Sequence, residues 1–246
     1  MKLLKKIIVL LAAMPVLAFA SGAAVPLDKA PVNLYDQASL QRGAKMFVNY
    51  CLNCHSANYM RYARLTDIGI PEDLIKQNLL FSREKVGETM EVAMTKKDAK
   101  EWFGATPPDL TVVARSRGPD WLYSYLRSFY LDPSRPTGWN NTVFDKVGMP
   151  HVLWSLQGEQ LAHYKTVTDH DGKEAHVFDR FELVKPGLVS PAQYDAMVGD
   201  LVNYLTWMGE PAKTQRMQLG VIVLIFLSIF FIIAYFMKKE FWKDIH

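Results

Sequence analysis

The sequence predicts a mainly α-helical exported domain with a small surface β-hairpin and one transmembrane helix at its C-terminus. Three observations carry this. Cys51-Leu52-Asn53-Cys54-His55 is a C-x-x-C-H motif placed directly behind an amphipathic helical stripe. Apolar residues recur at helical spacing before that motif, across 119–129 and across 194–208. Residues 217–237 carry no charge and are bracketed by Arg216 and Lys238.

The elements follow in order. Lys2, Lys5 and Lys6 precede an apolar run over 7–17, and Ala18-Phe19-Ala20 fits a small-x-small cleavage site. That run is short for a span, so we read 1–20 as a secretory signal peptide. Residues 21–215 then form one exported domain, long enough for a sizeable core. Its first part, 21–35, is an extended lead-in with Pro26 and Pro31. A helix is expected from about Ser39, with Leu40, Gly43, Ala44, Phe47 and Tyr50 on one face, running into Cys51. Gly43 would let a second helix cross closely.

The stretch 58–103 is polar and reads as loops and short helices. Thr106-Pro107-Pro108-Asp109-Leu110 reads as a rigid turn opening a short helix. Pro119 starts another, whose stripe is Trp121, Leu122, Tyr125, Leu126 and Phe129. A Pro-rich loop at 132–138 leads into 140–154, which contains Val147-Gly148-Met149-Pro150-His151. Residues 164–184 alternate around Asp171-Gly172, as in a β-hairpin. Ser190-Pro191-Ala192-Gln193 is a capping box with proline at the first helical position. The helix it opens shows Tyr194, Met197, Val198, Leu201, Tyr204, Leu205 and Met208 on one side and stops at Glu210-Pro211. Residues 216–238 form the span. Residues 217–237 would rise about 31 Å as a helix, against a hydrocarbon core of about 30 Å. The basic, aromatic tail 239–246 fits a cytoplasmic end, which puts the exported domain on the periplasmic side of the inner membrane.

The motif's chemistry is haem attachment. Two thiols three residues apart can each add to a vinyl group of one haem, and the adjacent histidine reaches the iron. A structural zinc site would need a second ligand pair, and the chain has 2 cysteines, both in the motif. A thioredoxin-like dithiol would follow a β-α-β pattern, whereas an amphipathic helix precedes the motif here. Charge adds one exclusion. Removing three lysines with the signal takes the 28 basic residues to 25, equal to the 25 acidic ones, so no nucleic-acid partner is implied.

His55 is the fifth iron ligand by adjacency. The sixth would be a methionine, a histidine or none. Met46 lies on the helix before the motif, Met60 is too near it, Met197 and Met208 sit on a helical stripe, and Met90 and Met94 lie in the polar insertion. Met149 sits in a loop between a glycine that permits close approach and a proline that stiffens it. His151, two residues on, is the rival. His163, His170 and His176 fall in or near the hairpin.

Taken together, these residues resemble the cytochrome c1 family, the haem subunit of the quinol–cytochrome c reductase complex. The resemblance covers nearly the whole mature chain. It rests on Arg42-Gly43, Cys51 to Ser56, Tyr62 to Leu65, Pro107-Pro108-Asp109-Leu110, Arg115-Ser116-Arg117 and Gly148-Met149-Pro150. Asp200 to Trp207 with Glu210-Pro211 and the single C-terminal span complete it. It implies a class I c-type cytochrome fold with insertions and one covalently bound haem c. Cys51 and Cys54 would form the thioethers, with His55 and Met149 on the iron. Arg117 would pair with a haem propionate, and a carbonyl of the Pro107-Pro108 pair, taken as that of Pro108, would orient His55. Phe47 and Trp121 stand where the family often has tyrosine, and the extra cysteine pair of some bacterial members is missing.

The implied role is electron relay without bond chemistry of its own. Electrons would pass from a Rieske iron–sulfur protein to a soluble cytochrome c, beside cytochrome b, in a membrane complex expected to be dimeric. The alternatives are a free-standing, membrane-anchored cytochrome c feeding a terminal oxidase, a haem enzyme with an open iron position, and a tethered binding module with a fortuitous motif.

Overall fold

The computed structural model describes residues 26–168 and 174–244. The signal peptide, the cleavage site, His170 and the Asp171-Gly172 turn lie outside them.

The core is a helix crossing. Helix α1 (Gln37–Met46) starts where the Asp36 carboxylate accepts the Ser39 N–H, two residues before the expected start. It passes into a single wider π-type turn, Phe47–Cys51, which delivers the chain to the motif. The polar insertion contains strand β1 (Ala57–Arg61), a 3₁₀ turn (Tyr62–Ile68), helix α2 (Glu72–Asn78), strand β2 (Thr89–Met90) and helix α3 (Lys96–Phe103). The β1–β2 pair, five residues against two, was too short to be legible in the sequence. Helices α4 (Val113–Arg117) and α5 (Pro119–Arg127) follow, with strands β3 (Phe129–Leu131) and β4 (Trp139–Asn141) paired antiparallel. Phe129, expected on the stripe of α5, therefore lies on β3. A short helix α6 (Trp154–Gln157) leads into a two-stranded ribbon, β5 (Gly158–Thr168) and β6 (Glu174–Pro186), longer at both ends than the hairpin expected at 164–184.

Helix α7 (Pro191–Gly209) opens with the capping box at Ser190 and Gln193. It packs against α1, α4, α5 and α6. Its inner face holds Tyr194, Val198, Leu201, Tyr204, Leu205 and Met208, all buried. Asn203 is only 1% exposed and would be costly there without partners. Its amide accepts from the Asn33 N–H and donates to the Asn33 carbonyl and the Ser39 hydroxyl, so it ties the extended lead-in to both helices.

Gly43 sits where α1 and α7 meet. A Cβ there would lie 2.1 Å from the Asp200 carbonyl oxygen and 2.6 Å from Tyr204 Cβ. The neighbouring Arg42 forks onto the Asp200 carboxylate at 2.6 and 2.9 Å, fixing the register. Since backbone blocks the added methyl, Gly43→Ala should cost about 3 kcal/mol or more. Thermal unfolding of the purified domain should show the loss as a midpoint lowered by about 6 °C or more. A midpoint within 1–2 °C of the parent would mean the crossing can open freely.

Helix α8 (Lys213–Phe241) begins almost at once after α7, three residues before the span expected at 216–238. It is long and apolar enough to cross a membrane, and its apolar side chains are exposed all round. In water that surface would drive aggregation, so it fits a lipid-facing anchor.

Candidate haem site

The motif sits on one turn. The N–H groups of Cys54 and His55 both donate to the Cys51 carbonyl, at 3.1 and 2.9 Å, and Leu52 N–H reaches back to Phe47. The turn holds the two sulfur-bearing residues and the histidine in one compact unit. Neither cysteine is in a disulfide. Burial, with Cys54 adding to it, pushes the Cys51 thiol up to about 12, and burial raises Cys54 as well. A dithiol oxidoreductase needs the opposite shift, toward a thiolate at neutral pH. The redox-motif reading therefore fails on electrostatics as well as on sequence context.

His55 Nδ1 lies 2.7 Å from the Pro108 carbonyl oxygen. A carbonyl can only accept, so Nδ1 carries the proton and Nε2 is left with its lone pair outward. Burial lowers this imidazole's basicity, while the Pro108 carbonyl and the Asp109 charge partly offset it. The Pro108 carbonyl is itself fixed by the residues after it. Asp109 accepts from the Asn58 N–H at 2.7 Å and the Thr111 N–H at 2.8 Å, and Leu110 N–H donates to the Ser56 carbonyl at 2.9 Å. The prolines form an extended strap stitched to the motif's exit, and helix starts only at Val113. The short helix expected directly after the prolines is thus displaced. Asp109 was quoted in the sequence without a role; its signal was an aspartate next to a proline pair, a side chain suited to capping turn N–H groups.

Met149 is half-buried on the loop after β4, and the hydroxyl of Tyr125 on α5 donates to its sulfur at 3.5 Å. Two buried asparagines fix that loop. Asn141 donates to the Tyr125 carbonyl and accepts from Val143 and Phe144 N–H. Asn140 bonds Asp132, Asp145 and the Lys146 N–H, and Lys146 takes a left-handed turn with φ 57°. Met46, Met60, Met90 and Met208 are buried in the core. The Met90 sulfur accepts from the Tyr204 hydroxyl there, at 3.7 Å.

His151 is 2% exposed. Its ring stacks on Phe129 with centroids 4.8 Å apart and 4° between planes, and Trp139 meets it edge-on. Burial depresses its pKa to about 4 against a weaker opposing effect of Gln157, so it is neutral. Gln157 approaches the ring, yet neither His151 Nε2 nor Gln157 Oε1 completes a hydrogen bond. His163 is half-exposed and paired with Glu182 at 2.7 Å, and His176 is exposed.

Arg117 is exposed at the end of α4, its guanidinium 5.1 Å from the centroid of the Trp121 ring. Trp121 in turn stacks on Tyr125 at 4.8 Å, so Arg117, Trp121, Tyr125 and Met149 form one continuous run of contacts. A separate cleft of about 340 Å³ lies beside Cys54, between Val92, Met94 and Pro107-Pro108. Its lining includes the Pro107-Pro108 strap and Asp109 and includes neither Met149 nor Arg117.

The donor set fits a haem c. It consists of two undisulfided thiols on one turn, an imidazole whose Nδ1 proton is committed to a carbonyl, and a half-buried thioether on a pinned loop. Among the described residues no group of three or more His, Cys, Asp or Glu is placed to hold a separate metal ion.

Comparison with known proteins agrees with this chemistry. The Cytochrome C1 family profile matches residues 28–245. The chain is 52% identical over 233 residues to a cytochrome c1 of Allochromatium vinosum, covering 94% of this chain and 95% of that one. It is 48% identical over 246 residues, the full length of both chains, to a protein of Nitrosomonas europaea named ammonia monooxygenase gamma subunit. A mitochondrial cytochrome c1 of Schizosaccharomyces pombe is 28% identical over 233 residues, 86% of this chain and 68% of that one. With a profile spanning nearly its whole length and a 52% identical relative of almost equal extent, this chain belongs to the cytochrome c1 family.

Proposed function

We propose that the protein relays single electrons from a Rieske iron–sulfur protein to a soluble cytochrome c inside a quinol–cytochrome c reductase complex. Membership of the family already carries electron transport, haem and iron binding and a covalent haem c. The finer reading adds one haem, attached at Cys51 and Cys54. It places the exported domain on the periplasmic side, with α8 against cytochrome b in a dimeric complex. The observation that carries the haem attachment is the His55–Pro108 hydrogen bond, because it presents an imidazole lone pair beside two free thiols, and the partners rest on the family match.

A haem c held in this way supplies a one-electron Fe(III)/Fe(II) couple. The chain's own residues do the rest. Pro108 orients His55 by accepting its Nδ1–H hydrogen bond, and with Asp109 it partly offsets the loss of basicity on burial, as partners beyond the ligand shell do at metal sites. The asparagine-pinned loop holds the Met149 thioether, which favours the reduced state. Arg117 would stabilise a haem propionate through charge-assisted hydrogen bonds. Tyr125, Phe129 and the buried face of α7 keep water out.

The name of the Nitrosomonas relative supports a second reading, in which the same haem domain serves a monooxygenase. Purification from native membranes in mild detergent separates them. We expect cytochrome b and a Rieske protein to co-purify with this chain at one haem c per copy. Monooxygenase subunits in their place would overturn the reductase assignment. Purification with no partner would favour the free-standing cytochrome.

A further inference from the structure

We propose that Tyr125 sets the reduction potential of the site by donating its hydroxyl hydrogen to the Met149 sulfur. The inference rests on Met149 being the sixth ligand. A thioether sulfur has two lone pairs, so one can bind iron while the other accepts a weak hydrogen bond. The Tyr125 hydroxyl reaches that sulfur at 3.5 Å. Its ring cannot swing aside. Trp121 stacks on one face at 4.8 Å, and Phe129 meets the ring at 5.1 Å and 66°. The Tyr125 carbonyl is held by Asn141, which also organises the Met149 loop, so donor and acceptor are fixed to the same frame. A phenol hydroxyl is protonated at neutral pH and so can donate.

The consequence has a definite sign. The O–H dipole points its positive end at a ligand of the iron. Ferric haem carries one more positive charge than ferrous haem, so the dipole disfavours the ferric form and raises the potential. In a buried site of low polarity this electrostatic effect is stronger than in water. A tyrosine acting only as packing would leave the potential unchanged when its hydroxyl is removed.

Tyr125→Phe keeps the ring and its two stacking partners and deletes only the hydroxyl. In the full-length, haem-loaded chain it should retain the low-spin spectrum. At a fixed applied potential its Fe(II)/Fe(III) ratio should fall at least about threefold, or about 28 mV at 59 mV per tenfold for one electron. Tyr123→Phe is the control. Tyr123 lies on the same helix under the Arg127 guanidinium at 4.4 Å and should leave the titration unchanged. An unchanged potential in Tyr125→Phe, or a shift shared by Tyr123→Phe, would overturn the proposal. So would a high-spin Tyr125→Phe, which would make the hydroxyl a scaffold for the loop. Failure of the ligand reading shows differently, as a Met149→Leu variant with the parent's spectrum, and that result overturns both.

Discussion

Cys51→Ser combined with Cys54→Ser is expected to leave the protein with no covalently attached haem. The chain has 2 cysteines, so no other thiol can substitute. Both sit on the single turn closed by the Cys54 and His55 N–H bonds to the Cys51 carbonyl. Serine preserves that turn, because the bonds are backbone bonds, and it removes only the sulfur nucleophiles. Each single variant should retain one thioether and weaker attachment. The readout is haem staining on a denaturing gel after acid–acetone extraction, with wild type fully stained, single variants reduced and the double variant blank. Wild-type haem that extracts freely would overturn the attachment reading. The raised thiol pKa values add a condition. In the closed domain Cys51 and Cys54 are protonated and poorly nucleophilic at neutral pH. Haem added to the folded, haem-free chain should therefore couple slowly, and coupling should speed up under partly unfolding conditions.

What could be read from the sequence was whatever has a local signature. The capping box at Ser190, the proline start of α5 and the glycine at the helix crossing all act within a few residues or through a missing side chain. The apolar run of α8 needs no partner to be recognised. The features the sequence did not disclose depend on chain segments far apart. Strands β1 and β2 are short and lack an alternating pattern, and their pairing is set by the surrounding packing that buries Ala57, Met60 and Met90. The grip of Asn140 and Asn141 on the Met149 loop joins that loop to α5, which no local pattern announces. His151 illustrates the same limit. As a histidine two residues from Met149 it is the rival ligand, and its stack on Phe129 and its near-complete burial are set by residues far away in sequence. Arg117 is the least constrained of the expected residues. Its visible partner is the Trp121 ring, and a propionate beside it belongs to the proposal.

Met149→Leu should have the largest consequence for electron flow. Leucine is close to methionine in volume and apolarity, so packing against Tyr125 and the loop should survive at a cost below about 1.5 kcal/mol. Coordination should not survive, because leucine has no lone pair. The reduced protein should become partly high-spin and bind carbon monoxide at the vacated position. Loss of the thioether removes the preference for Fe(II). We expect the potential to drop by more than about 120 mV, a hundredfold change in the electron-sharing equilibrium at 59 mV per tenfold. Under the proposed function, uptake of an electron from a Rieske donor should then become unfavourable, and quinol oxidation by the complex should slow or stop. His151→Ala provides the contrast. It empties the space between Phe129 and Trp139 and should destabilise the domain by about 2 kcal/mol. Its low-spin spectrum and its refusal of carbon monoxide should nonetheless match the parent, since on the proposed reading Met149 stays in the ligand position and the His151 ring packs between Phe129 and Trp139. If instead His151→Ala became high-spin while Met149→Leu stayed low-spin, the iron would carry two histidines. The half-buried thioether beside Tyr125 would then be packing alone.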